Sequence, residues 1–181
     1  TTAREYPNAY PPASNLRVER HGRQRVEGAV ARAGFWAVSS GAISFGRDGR
    51  WYSDGEVINN ARIASLFSRC LRETEDGRWQ IAMADERAFV TIDDTPWVVT
   101  AVDLEPDGGF RLRLNDGSEE RLDPGSLTVG VANVLYARVK GRYRARFLRP
   151  AYYQLSPAID ERDGRFFLMS GDTRTEICTS R

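Results

Sequence analysis

Between Asn60 and Arg72 the apolar residues Ile63, Leu66, Phe67, Cys70 and Leu71 recur at i, i+3, i+4, i+7 and i+8. That spacing places them on one face of an α-helix. Asn59 or Asn60 is positioned to cap its N-terminus by accepting an orphan backbone N–H. An apolar stripe of this kind must lie on a sheet, and the sequence around it supplies one. Trp79, Ile81 and Met83 alternate with Gln80 and Ala82, as in a strand with one buried face, and a partner strand is expected over Phe89 to Ile92. Beyond Asp93-Asp94-Thr95-Pro96 the pattern begins again. Strands are predicted near Trp97 to Leu104, Phe110 to Leu114, Leu127 to Val131 and Leu135 to Val139, followed by a helical segment from about Arg142 to Leu155. Pro150 cannot donate the i to i−4 bond, so a kink or a division into two short helices is expected there.

The punctuation between these runs is regular. Asp-Gly occurs at Asp48-Gly49, Asp54-Gly55, Asp76-Gly77, Asp107-Gly108, Asp116-Gly117 and Asp163-Gly164, often followed by an aromatic residue: Trp51, Trp79, Phe110, Phe166. Asp-Gly between β-prone runs signals a hairpin, since both residues tolerate the positive φ of a type I′ turn. Strands, helix, Asp-Gly and strands thus occur twice. The fold class predicted is α+β, a duplicated strand-helix-strand unit with two small antiparallel sheets, each packed with a helix. Residues 1–35, with Pro7, Pro11, Pro12 and a short helical pattern around Val26 to Ala33, read as an N-terminal extension; 36–95 and 96–181 read as the two α+β units.

Composition narrows the function more by exclusion than by assignment. With 41% hydrophobic residues in 181, the chain is able to bury a core, and no stretch approaches the roughly 18 uninterrupted apolar residues of a membrane span. No signal-peptide pattern opens the chain, so a cytoplasmic location is expected. His21 is the sole histidine, and Cys70 and Cys178 stand far apart, in no metal-ligand spacing; both are expected as buried free thiols. Zinc hydrolases and Ser-His-Asp enzymes therefore lose their central component. No phosphate-cradling glycine loop or nucleophile elbow is present. No catalytic residue, metal site or cofactor is assigned.

Charge is balanced overall, 26 basic against 25 acidic residues, which argues against a nucleic-acid partner. Its distribution is uneven. No acidic residue lies between Asp123 and Asp160, while Arg138, Lys140, Arg142, Arg144, Arg146 and Arg149 fall inside that window. On a helix, Arg142, Arg146 and Arg149 share one face, and three guanidinium forks on one stripe suit a phosphate. Tyr136, Tyr152 and Tyr153 lie close enough in sequence to stack on a base, and Trp51 is an aromatic candidate although residues beside Asp-Gly turns commonly pack across hairpins. The opposing reading is a solvated basic face whose arginines pair with Asp93, Asp94 or Glu73.

Several of these segments together resemble a known family. Asp48-Gly49-Arg50-Trp51-Tyr52 with Gly55, Val57 and Ile58, then Leu66-Phe67-Ser68 and Leu71-Arg72, then Ile92-Asp93-Asp94-Thr95-Pro96-Trp97, and finally Val139-Lys140-Gly141 and Arg149-Pro150-Ala151-Tyr152-Tyr153-Gln154-Leu155 resemble, in order, the bacterial domain-of-unknown-function family numbered 1285. The resemblance implies a duplicated core, a C-terminal half like a pleckstrin-homology fold, and a cleft between halves holding a nucleotide-like ligand in a signalling role. The functional expectation is a non-enzymatic module binding a nucleotide or other phosphorylated small molecule. A protein-protein interaction module without such a ligand is the alternative.

Overall fold

The computed structural model describes residues 42–179. The N-terminal extension over 1–35 and the short helix expected around Val26 to Ala33 lie outside the described residues.

Three strands open the described chain: β1 (Ile43–Phe45), β2 (Trp51–Ser53) and β3 (Glu56–Val57). Helix α1 (Ala61–Cys70) follows, then β4 (Leu71–Glu73), β5 (Trp79–Met83) and β6 (Glu86–Ile92). They form one six-stranded sheet in the order β3-β2-β1-β6-β5-β4, antiparallel except at its centre, where β1 and β6 run parallel. The Asn60 side chain accepts from the backbone N–H groups of Arg62 and Ile63 and so starts α1 where the sequence predicts. Phe67, on the predicted stripe, packs edge-on against Trp51 at 5.5 Å. These two residues sit in a core with Ile43, Phe45, Leu71 and Ile81.

The second large sheet comprises β7 (Trp97–Leu104), β8 (Phe110–Leu114), β9 (Glu119–Arg121), β10 (Thr128–Val129), β11 (Leu135–Val139) and β12 (Tyr143–Phe147). Helix α2 (Arg149–Leu155) follows β12. The order is β9-β8-β7-β12-β11-β10, with a parallel β7/β12 pair at the centre, and a last short strand, Cys178–Thr179, runs parallel alongside β10. Within α2, Ala151 and Leu155 are fully buried, and Gln154 accepts a 2.8 Å bond from the Val102 N–H of β7. A separate three-stranded sheet, β13 (Ile159–Arg162), β14 (Arg165–Ser170) and β15 (Thr173–Glu176), lies between α2 and Cys178–Thr179 in the chain and contributes Leu168 to the second core.

The overall α+β class agrees with the sequence reading; three details differ. The sheets are not purely antiparallel, because each large one is closed at its centre by a parallel pair of strands distant in sequence. The helix expected over Arg142 to Leu155 is strand β12 followed by α2. Lys140 and Gly141 both take positive φ, 48° and 77°, forming a tight hairpin turn that sends the chain back beside β11, where Ala137 pairs with Ala145. Tyr143, Ala145 and Phe147 then alternate inward with period 2. Pro150 accordingly neither kinks nor divides a helix. It sits in the first turn of α2, where its missing N–H would have no intrahelical partner.

The third difference concerns the turns. Asp54-Gly55 and Asp163-Gly164 have positive φ at both residues, as a type I′ turn requires. At Asp48-Gly49, Asp76-Gly77, Asp107-Gly108 and Asp116-Gly117 the glycine alone does so, closing a three-residue loop. The aspartate serves differently there. Asp48, Asp107 and Asp116 each accept the N–H two residues on.

Candidate functional site

The first hairpin turn of the first sheet is pressed against the second. A side chain on Gly49 would meet Val98 Cγ2 at 2.9 Å and Leu148 Cδ1 at 3.1 Å, so the backbone approaches where only glycine fits. Val98 belongs to β7, yet its side chain joins the first core, while Trp97 and Val99 face the second. Burial on both faces explains why Trp97, Val98 and Val99 form a continuous apolar run. Two further links join the sheets. Trp79 of β5 packs against Trp97 and Tyr143 at 5.5 and 5.6 Å. Ser68 of α1 accepts from Trp51 Nε1 and from Asn115 Nδ2, at 2.9 and 3.0 Å, and Asn115 Oδ1 accepts from Val98 N.

Beside the Gly49 contact lies an open hollow of about 430 Å³, bounded by Arg47 and Asp48 on the first sheet's turn and by Arg146 through Pro150 on the other side. Phe147, Leu148 and Pro150 supply its apolar surface, and three arginines supply its charge. Arg146 comes from the face of β12 opposite Ala145 and Phe147. Its Nη1 lies 2.8 Å from Asp94 Oδ2, with the side chains 24% and 22% exposed. The same carboxylate oxygen accepts a 3.0 Å bond from the Tyr136 hydroxyl. Burial first, then this bond and the carboxylate's charge, hold the Tyr136 phenol above the ordinary tyrosine value. Arg144 lies over the Tyr136 ring at 4.1 Å. The Arg146 backbone is fixed by its N–H on Thr95 Oγ1, a buried hydroxyl that donates to Trp97 O.

On the turn, Asp48 Oδ2 accepts a 2.7 Å bond from the Tyr52 hydroxyl, which raises the Tyr52 pKa. Arg50 Nε stands 3.8 Å from the same oxygen. Neither Arg47 nor Arg149 has an ion-pair or hydrogen-bond partner for its side chain among the described residues. The hollow therefore gathers two guanidinium groups with no counter-charge among the described residues and a third held by Asp94. Asp48 is the one carboxylate among its described lining residues.

The sequence-predicted candidates separate into three places. Arg146 and Arg149 meet at the hollow, though from a strand and a helix start rather than from one helical face. Arg142 is elsewhere: it forms an ion pair with Glu73 of β4, and its Nη2 donates to the Tyr143 hydroxyl at 2.7 Å. That hydroxyl bond, and then the Glu73 charge, raise the Arg142 pKa. Arg142 thus follows the opposing reading, in which the basic window pairs with nearby carboxylates. Tyr152 and Tyr153 are exposed on α2 with their rings edge-on at 5.8 Å, and neither lines the hollow. Trp51 is 1% exposed and its indole N–H is taken by Ser68, so it is a core residue with no surface for a ligand. The sequence reading missed Arg47 and Asp48. The signal for them was Asp48-Gly49 itself, but placing that turn beside β12 requires the β7/β12 pairing, which no local pattern encodes.

Outside the hollow, Cys70 is half-buried and Cys178 is exposed; both are free thiols. Cys178 differs from its expected burial because it lies on a short strand at the sheet's edge. Among the described residues, no three His, Cys, Asp or Glu side chains are grouped as metal ligands, and no helix is long and apolar enough to cross a membrane.

No family model and no curated protein matches the chain. Two solved structures do. A DUF1285 family protein from Silicibacter pomeroyi DSS-3 is 24% identical, with a TM-score of 0.60 over 76% of this chain and 79% of that one. A DUF1285 family protein from Shewanella baltica OS155 is 16% identical, with a TM-score of 0.51 over 66% of this chain and 93% of that one. At these identities the likeness establishes the fold. The chain has the fold of these DUF1285 family proteins, and this agreement with the motif resemblance supports its placement in a DUF1285-type family.

Proposed function

We propose that this protein is a non-enzymatic cytoplasmic module of bacterial signalling that holds a nucleotide or similar phosphorylated small molecule in the hollow between its two large sheets. The observation that carries this reading is the meeting of Arg47, Arg146 and Arg149 around one open space, with two of the three unpaired among the described residues. Guanidinium forks bind phosphate oxygens through paired charge-assisted bonds. A volume of about 430 Å³ falls in the range of small-molecule sites, about 300–1,000 Å³. The apolar surface of Phe147, Leu148 and Pro150 suits the less polar part of such a ligand.

The matching strand orders favour reading the chain as one α+β unit occurring twice, with the hollow at the junction of the copies. In the second copy a helix follows the second meander, after β12, and on this reading that helix would correspond to the one expected of a pleckstrin-homology-like half.

A thermal-shift screen with mononucleotides, dinucleotides and sugar phosphates tests the proposal. At least one compound is expected to raise the melting temperature, and the shift to disappear in Arg149→Glu and Arg47→Glu. A panel without any shift overturns it. A second reading, a protein-interaction module, draws on a shallow hollow of about 310 Å³ where Leu104, 70% exposed, meets Met169 and Pro157. Capture of a defined protein partner, lost in Leu104→Arg and indifferent to Arg149→Glu, favours that reading.

A further inference from the structure

We propose that Asp94 is an internal competitor for the ligand's anionic group, occupying Arg146 until phosphate oxygens displace it. This rests on reading the hollow as a phosphate site. The three lining arginines are not equivalent: Arg47 and Arg149 lack an ion-pair partner among the described residues, whereas Arg146 is engaged by Asp94 at 2.8 Å. Arg146 presents several N–H donors, but its charge is already balanced. A dianionic phosphate drawn to it meets the Asp94 carboxylate as a like charge, and like charges at close range disfavour one another.

The surroundings allow the exchange. Both partners are partly exposed, so separating them does not strand a dry charge. Asp94 keeps a partner when Arg146 leaves, because the Tyr136 hydroxyl donates to its Oδ2. Asp94 also lies in the connection between β6 and β7, so it is held at the junction rather than on a free loop. The consequence is a threshold. A single carboxylate offers Arg146 little more than Asp94 already does, while a phosphate monoester offers a second negative charge and a further acceptor oxygen. The ligand class selected is therefore a phosphate dianion in preference to a carboxylate.

The experiment is titration of inorganic phosphate, adenosine 5′-monophosphate and acetate into the full chain by calorimetry. It compares the wild type, Asp94→Asn, Arg146→Gln and the double variant, with melting curves as the check on folding. Asparagine keeps the size of the side chain and an acceptor for Tyr136. Asp94→Asn is expected to tighten phosphate and nucleotide binding about tenfold, equivalent to about 1.4 kcal/mol. It should also make acetate binding detectable, and the gain should vanish in the Arg146→Gln background. Wild-type binding that is unchanged or weakened by Asp94→Asn overturns this inference and leaves the hollow's assignment standing. An equal gain in the Arg146→Gln background also overturns it, since Asp94 would then act by general repulsion. Absence of phosphate binding to wild type and Asp94→Asn alike removes both the inference and the reading beneath it.

Discussion

The two large sheets share the order of six strands, to which the second adds Cys178–Thr179 at one edge, and they differ in where they place a helix. Each has two three-stranded meanders joined at the centre by a parallel pair, β1 with β6 and β7 with β12. In the first sheet the crossover between meanders carries α1; at the corresponding crossover the second has a single 3-10 turn, Pro124–Ser126, and its helix α2 follows β12, the end of its second meander. The first hairpin of each closes with the same three-residue loop, ending in Gly49 and Gly108. Strand order and first turn are therefore independent of helix position. Each sheet needs an apolar cover, and a helix supplies it from either point in the chain.

The largest test of that comparison removes one anchor from each cover. Phe67 of α1 and Leu155 of α2 are almost completely buried, in different cores. Phe67→Ala should cost about 3–5 kcal/mol and Leu155→Ala about 2–5 kcal/mol. Because Trp79, Trp97 and Tyr143 interlock across the sheets, each variant should still unfold in one transition when urea denaturation is followed by circular dichroism and tryptophan fluorescence. Two separated transitions would mean that the sheets are independent units.

A second test uses what the second sheet has and the first lacks. The turn at Gly108 abuts the β14–β15 turn: its φ is 79°, its carbonyl accepts from Gly171 N at 3.0 Å, and an added Cβ would lie 2.6 Å from Gly171 Cα. Gly117, at φ 82°, has nothing within 4 Å. Gly108→Ala is expected to cost about 2–4 kcal/mol, combining backbone strain with overpacking, and Gly117→Ala about 1 kcal/mol from strain alone. Hydrogen exchange should show the excess loss of protection in β13 to β15. Equal effects of the two substitutions would mean that the three-stranded sheet does not depend on this contact.

Local patterns carried much of this architecture. Helix α1 was legible because its whole stripe and its Asn60 cap lie within one continuous segment, and the hairpins because Asp-Gly marks them. Strand β12 was not read correctly: Arg142, Arg146 and Arg149 happen to fall at helical spacing, which masked the period-2 run of Tyr143, Ala145 and Phe147. The turn before β12 left little trace in the sequence: Lys140 and Gly141 both take positive φ in the structure, but a lysine does not mark such a turn as Asn or Asp before glycine does. The candidate hollow was half legible. The acid-free window points to Arg146 and Arg149, but Arg47 joins them through two parallel strand pairings and a glycine contact, all between residues remote in sequence. Trp51 was drawn in by its residue type, while its burial depends on Ser68 and Phe67 arriving from α1.

The smallest and most specific test addresses the polar link between the sheets. Ser68 Oγ accepts from Trp51 Nε1 in its own core and from Asn115 Nδ2 in the second sheet, while Asn115 also closes on Val98. Removing either side chain leaves a buried donor unpaired, Trp51 Nε1 in Ser68→Ala and Val98 N–H in Asn115→Ala, at about 1–3 kcal/mol each. A double-mutant cycle isolates their direct contact, for which a coupling of about 1 kcal/mol is expected. The remaining cost of each single variant belongs to its own sheet and cancels in the cycle. A coupling near zero would assign the link to the apolar contacts, the Trp79, Trp97 and Tyr143 packing and the approach of Gly49 to Val98 and Leu148. The arginines around the hollow would then be held in register by apolar contacts, which tolerate small displacements more readily than a buried hydrogen bond does.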